Sequence, residues 1–146
     1  MKRIVLSIIF TIFCIYTNAQ YNCVVTSSDR ESVTFRVVGY GSNIKKATTD
    51  AEISAIKTIC FIGAVGTTYS IPMIPVSENI AVADNSAFFK SFYSELYRNF
   101  IESSFAISKF GKDASKRKCQ TFKVKIRAEQ LRRYLEQNNV IRRFGL

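Results

Sequence analysis

Residues 32–63, SVTFRVVGYGSNIKKATTDAEISAIKTICFIG, carry the reading on which the fold turns. Ser32 to Val38 is rich in β-branched and aromatic residues, with Val33, Phe35 and Val37 on one face. That is the signature of a strand. Gly39-Tyr40-Gly41 closes it. Ser42 or Asn43 then offers a side-chain acceptor to the first free backbone N–H groups of a helix. Ile44, Ala47, Ala51, Ala55 and Ile59 fall at i, i+3, i+7, i+11 and i+15, a stripe of helical period. The spacing predicts a helix to about Phe61, with Gly63 as its stop. Three alanines on the stripe make a thin face, which lets the helix lie close on a sheet.

Upstream, Tyr21 to Thr26 alternates weakly and Ser27 to Glu31 is a polar turn. The two segments read as a β-hairpin, or as a frayed N-terminus before one strand. The first nineteen residues have another character. Lys2 and Arg3 precede an apolar run from Ile4 to Ile15, and Thr17-Asn18-Ala19 brings small or polar residues before Gln20. Basic, apolar, then small is the order of a secretory signal peptide. The run falls short of the about 20 apolar residues that span a bilayer. Cleavage after Ala19 is expected, without a lipid anchor, since Thr11-Ile12-Phe13 before Cys14 is no lipobox. Residues 20–146 are then expected to form one α+β domain, without a membrane span and placed in the periplasm or outside the cell.

Downstream, Ala64 to Ala83 is irregular. Pro72 and Pro75 disfavour helix and central strand, and a loop of this length is often functional or mobile. Asp84, Asn85 or Ser86 caps a second predicted helix, Ala87 to about Ile101, with Phe89, Phe92, Tyr93, Leu96 and Phe100 inward. Ser103 to Ser115 reads as a connector. Lys118 to Arg127 is the clearest strand, with Phe122, Val124 and Ile126 opposite Thr121, Lys123, Lys125 and Arg127. That alternation suits a sheet with one buried and one wet face. A third helix runs from Ala128 to about Gln137, with Leu131, Tyr134 and Leu135 inward, and a basic tail follows. The expected class is α+β: a small, mostly antiparallel sheet with about three helices packed on one face.

Charge is uneven. Residues 20–108 hold seven Lys/Arg against eight Asp/Glu, whereas residues 109–146 hold twelve against three. Such asymmetry points to an anionic partner. Lys123, Lys125 and Arg127, extended by Arg132 and Arg133, are the candidate surface. Exposed strand lysines also deter edge-to-edge aggregation. Few aromatics interleave with them, so a single-stranded nucleic-acid platform is not indicated.

Catalytic chemistry finds little support. The chain has no histidine, which removes Ser-His and Cys-His nucleophiles and histidine zinc sites. No CxxC spacing occurs, and no metal or cofactor is expected. Gly39-Tyr40-Gly41 lacks the further glycine or Gly-Lys-Ser/Thr of a nucleotide loop, so it reads as a tight turn. A carboxylate-pair hydrolase of cell-wall glycan is the poorer alternative. After the expected cleavage Cys23, Cys60 and Cys119 remain. A Cys60–Cys119 disulfide is expected if the last strand runs parallel to Ser32–Val38, because both cysteines then reach one end of the sheet.

Val33 to Gly63, the strand Phe122-Lys-Val-Lys-Ile and the Leu131/Leu135 helix together resemble a group of small exported proteins of Bacteroidota-type bacteria. The Asn-Ala-Gln cleavage context is similar to theirs. A strand ending in Gly-x-Gly before an alanine-rich helix is also loosely similar to the N-terminal domain of flagellar assembly proteins and related envelope lipoproteins. The resemblance implies an extracytoplasmic setting and a small α+β fold, and no catalytic residues. The expected role is a non-enzymatic envelope domain that docks on another envelope component, a protein foremost. The loop, the aromatic helix and the basic quarter would supply its contacts. The alternative is an electrostatic binder of anionic glycan or a lipid surface.

Overall fold

The structure is a computed structural model and describes residues 22–143. The leader over residues 1–19, with its cut after Ala19, lies outside these residues. Five strands form one antiparallel sheet: β1 (Cys23–Ser28), β2 (Val33–Tyr40), β3 (Ile101–Ala106), β4 (Gly111–Lys112) and β5 (Lys118–Ile126). The order is β1-β2-β5-β3, with β4 pairing the start of β5. Four α-helices accompany it: α1 (Ile44–Phe61), α2 (Glu78–Asp84), α3 (Ser86–Ser94) and α4 (Ala128–Gln137), with a 3-10 helix over Leu96–Phe100. The class is α+β with a small antiparallel sheet.

β1 and β2 form the hairpin, not a frayed end. Its turn is tied by Asp29, whose carboxylate accepts from the Glu31 and Ser32 amides and from the Ser32 hydroxyl. The Ser32 hydroxyl bond, ahead of the two amide bonds, holds the Asp29 carboxyl below its usual range. The β2–β5 register pairs Val33 with Ile126, Phe35 with Val124 and Val37 with Phe122. All six are buried, so the alternation read in both strands converges on one face.

α1 covers that face. The Asn43 side chain accepts from the Lys46 amide at 2.9 Å and caps it. Ala47, Ala51, Ala55 and Ile59 are buried, but Ile44, in the first turn of the same stripe, is exposed. The thin alanine face brings backbones together: a Cβ on Gly39 would lie 2.0 Å from the Ala47 carbonyl oxygen, and one on Gly41 would lie 2.5 Å from the Ala47 amide. The two glycines thus serve helix-on-strand packing. At the far end Gly63 takes φ +93° and donates to the Thr58 carbonyl at 2.8 Å.

The second expected helix is divided. α3 stops at Ser94, the 3-10 helix follows, and Ile101 to Ala106 is strand β3 instead of helix and connector. A bulge between Ile101 and Ser103 turns Ser104 inward opposite Val124 and Phe105 outward opposite Lys123. The period-two signal is thereby erased, which is why this edge strand does not show in the residues. The irregular segment is also shorter than expected, since α2 claims Glu78–Asp84. α4 matches its expected span, and Tyr134 joins Phe88, Phe92 and Phe100 in an aromatic cluster with centroids 5.1–6.4 Å apart.

Candidate interaction surface

The sheet has one covered face and one bare face. On the bare face the registers line up a row across four strands: Val24, Arg36, Lys123 and Phe105. The row spans about 14 Å. Val24 is 53 % and Phe105 51 % exposed, and Arg36 is exposed between them. Ile107 continues the apolar edge, its amide donating to the Thr121 carbonyl at 2.9 Å. Among the described residues, neither Arg36 nor Lys123 has a carboxylate within ion-pair distance. Two unpaired cations thus sit between two exposed apolar side chains.

The basic stripe is brought together only in part. Lys123 and Lys125 share the bare face through their pairing with Arg36 and Thr34. Lys125 is bound to Glu102 at 2.9 Å, and this hydrogen bond raises the lysine's pKa. Arg127 precedes α4, with a guanidinium contact to the Asn99 carbonyl at 3.4 Å. Arg133 is paired with Glu129 one helical turn away. Arg132 lies elsewhere, beside Pro72–Val76 and Arg142, with Glu136 at 3.9 Å. Three of the five cations therefore spend their charge within the molecule.

A charged cleft of about 380 Å³ lies at the foot of the sheet, lined by Asp29, Glu31, Glu102 and Glu129 with Lys125, Arg127 and Arg133. Three of these four acids are committed to local partners. Asp29 caps the hairpin turn, Glu102 holds Lys125, and Glu129 holds Arg133. A glycosidase needs a carboxylic acid that keeps its proton near neutrality; Asp29 is shifted in the opposite direction. Among the described residues, no three His, Cys, Asp or Glu side chains are placed to hold a metal ion.

The expected Cys60–Cys119 disulfide is absent: Cys23, Cys60 and Cys119 are all free thiols. β5 runs antiparallel to β2, so Cys119 pairs with Tyr40 at the end of the sheet where α1 begins. Cys60 lies sixteen residues into α1, about 24 Å away along the helix axis, whereas a disulfide needs Cα atoms within about 7 Å. Burial pushes the Cys60 thiol up to about 12 and the Cys23 thiol to about 11.

The expected contact surfaces also divide. The α3 aromatics belong largely to the core, with Phe89 and Phe92 buried. The loop after α1 is anchored. Tyr69 is buried and donates to the Arg30 carbonyl at 2.6 Å, while Met73 and Ile74 bond the last carbonyls of α1. Sequence reasoning missed Val24, Arg36, Phe105 and Ile107 as surface groups. For Arg36 the signal existed: its alternation with Phe35 and Val37 assigns it to the face of Lys123. For Phe105 no strand was legible to assign a face.

No protein-family model matches this chain, and the comparisons with curated proteins and solved structures found no match.

Proposed function

We propose that this chain is an exported, non-enzymatic domain of the cell envelope that docks on the acidic surface of a protein partner through its bare sheet face. The observation that carries the reading is the row Val24–Arg36–Lys123–Phe105. Arginine and aromatic side chains are the commonest anchors of protein interfaces. Two cations without internal partners call for carboxylates opposite, since complementary charge sets register and speeds encounter. The basic-apolar-small leader supports export. The pairing of Lys125, Arg132 and Arg133 with glutamates weakens the alternative of an extended electrostatic stripe for anionic polymer.

Site-specific photo-crosslinking in the native cells tests this reading. A benzophenone side chain in place of Phe105 should give one discrete adduct, which Lys123→Glu abolishes. The same group at exposed Lys90 on α3 should give none. Equal adducts from both positions, or an adduct indifferent to Lys123→Glu, would sink it.

A further inference from the structure

A second surface lies at the far end of α1, away from the bare sheet face. Between Lys57 and Glu78 no residue is charged, in a chain that is 22 % Asp, Glu, Lys and Arg. This segment does not hide its apolar groups. Val65 is 79 % and Ile71 80 % exposed, the two highest values among the large exposed apolar side chains. Ile62 is exposed as well. All three belong to one loop, in which Gly63, next to Ile62 and two residues before Val65, sits against the backbone of Ser70 and Ile71.

The loop is held by its own hydrogen bonds. The Ala64 amide donates to the Tyr69 carbonyl at 2.7 Å, and Thr67 donates to the Ala64 carbonyl through both its amide and its hydroxyl. The Tyr69 amide donates to the Thr67 hydroxyl at 2.9 Å. Positive φ at Gly63 and Gly66 makes these tight turns possible. Backbone groups bonded within the loop cost less to bring out of water.

We propose that this tip seats in the interfacial layer of an anionic bilayer, with Val65 and Ile71 entering among the lipids. Protruding aliphatic side chains without an exposed aromatic or arginine on the tip itself suit a fluid apolar medium better than a protein pocket. Residues 20–146, with nineteen Lys/Arg against eleven Asp/Glu, carry a net positive charge that draws the exported chain toward an anionic surface and disfavours a second copy seated tip to tip. The Arg30 backbone is tied to the loop, its carbonyl accepting from the Tyr69 hydroxyl, and Arg132 and Arg142 flank Pro72–Val76. Acids reach the same end, namely Asp84 in that groove, Asp29 and Glu31 in the hairpin turn, and Glu136 against Arg132. The seat therefore rests on the aliphatic side chains, with the overall positive charge bringing them to the surface. It uses groups separate from the row of Val24 and Phe105, so the two proposals fail separately.

The chain contains no tryptophan, which makes a local probe available. Ile71→Trp in the exported chain should shift to the blue on phosphatidylcholine vesicles containing phosphatidylglycerol. It should shift much less on pure phosphatidylcholine, and Phe105→Trp should not respond. Val65→Asp combined with Ile71→Asp should lower partitioning by about tenfold or more, whereas Lys123→Glu should leave it within about twofold. An unshifted emission spectrum of the Ile71→Trp variant, unchanged partitioning of the double variant, or self-association lost in that double variant would each overturn the proposal. So would burial of residue 71 by an added protein with no response to vesicles.

Discussion

Residues 58–77 and 86–100 are both rich in large apolar side chains, yet the molecule treats them in opposite ways. In the second region Phe89, Phe92, Tyr97 and Phe100 turn inward, and Phe88, Tyr93 and Leu96 pack around them. Tyr134 from α4 and Phe61 from α1 close the cluster. In the first region Tyr69, Met73 and Ile74 are buried as anchors, while Val65 and Ile71 stand in solvent. Apolar content alone does not decide burial. The aromatic segment has two helices to pack against, whereas the tip lies beyond the end of α1, where no element covers it.

The largest test of that contrast is Phe92→Ala. Phe92 is buried and contacts Phe88, Phe89, Tyr93, Phe100 and Tyr134. Truncation should cost about 3–5 kcal/mol in denaturant unfolding; a loss below about 1 kcal/mol would show a loosely packed cluster.

An intermediate effect is expected at the root of the tip. Cys60 is buried, and its carbonyl accepts from Ile74. Its thiol titrates near 9.0 when unfolded and at about 12 in the fold, burial being the main cause. The folded state keeps the proton that the unfolded chain loses. Stability should therefore fall as pH rises from 9.0 toward 12, by roughly 1 kcal/mol per pH unit for this thiol. Unfolding midpoints of Cys60→Ala across that range should show a shallower decline than the parent, with the share due to Cys23 remaining. Parallel declines would mean that the loop opens and admits water to the thiol.

The smallest effect belongs to the display itself. Val65→Ser with Ile71→Ser should change folding stability by less than about 0.5 kcal/mol per site. A cooperative loss of about 2 kcal/mol or more, roughly what burying one such side chain is worth, would mean that the tip packs against the domain in solution.

Much of the architecture was legible before any coordinates. Strands β2 and β5 announced themselves because both alternate strictly and sit in the middle of the sheet, where one face must be apolar. α1 and α4 did so because each lays a helical stripe on the core. The edge was not legible. β3 carries a bulge, puts Ser104 inside and Phe105 outside, and so inverts the usual pattern. The bare face was half visible, since Lys123 and Lys125 alternate out of the core, but its row exists only through registers with three other strands. Ion pairing was hidden only where it crosses strands. Lys125 meets Glu102 only because β3 lies beside β5, while the glutamates that pair with Arg132 and Arg133 sit one turn away on the same helix. The disulfide expectation failed on strand direction, which residue patterns do not encode.

The contact of Gly39 and Gly41 with Ala47 has a mechanical consequence. α1 is eighteen residues long, a stiff rod of about 27 Å, and it meets the sheet backbone-to-backbone at one end. Any side chain inserted there would act as a wedge under a lever. A tilt of roughly 5° at that pivot would swing the opposite end, Gly63 and the aliphatic tip with it, through about 2 Å. Two hydrogen atoms in place of two methyl groups therefore set the aim of a surface at the other end of the molecule.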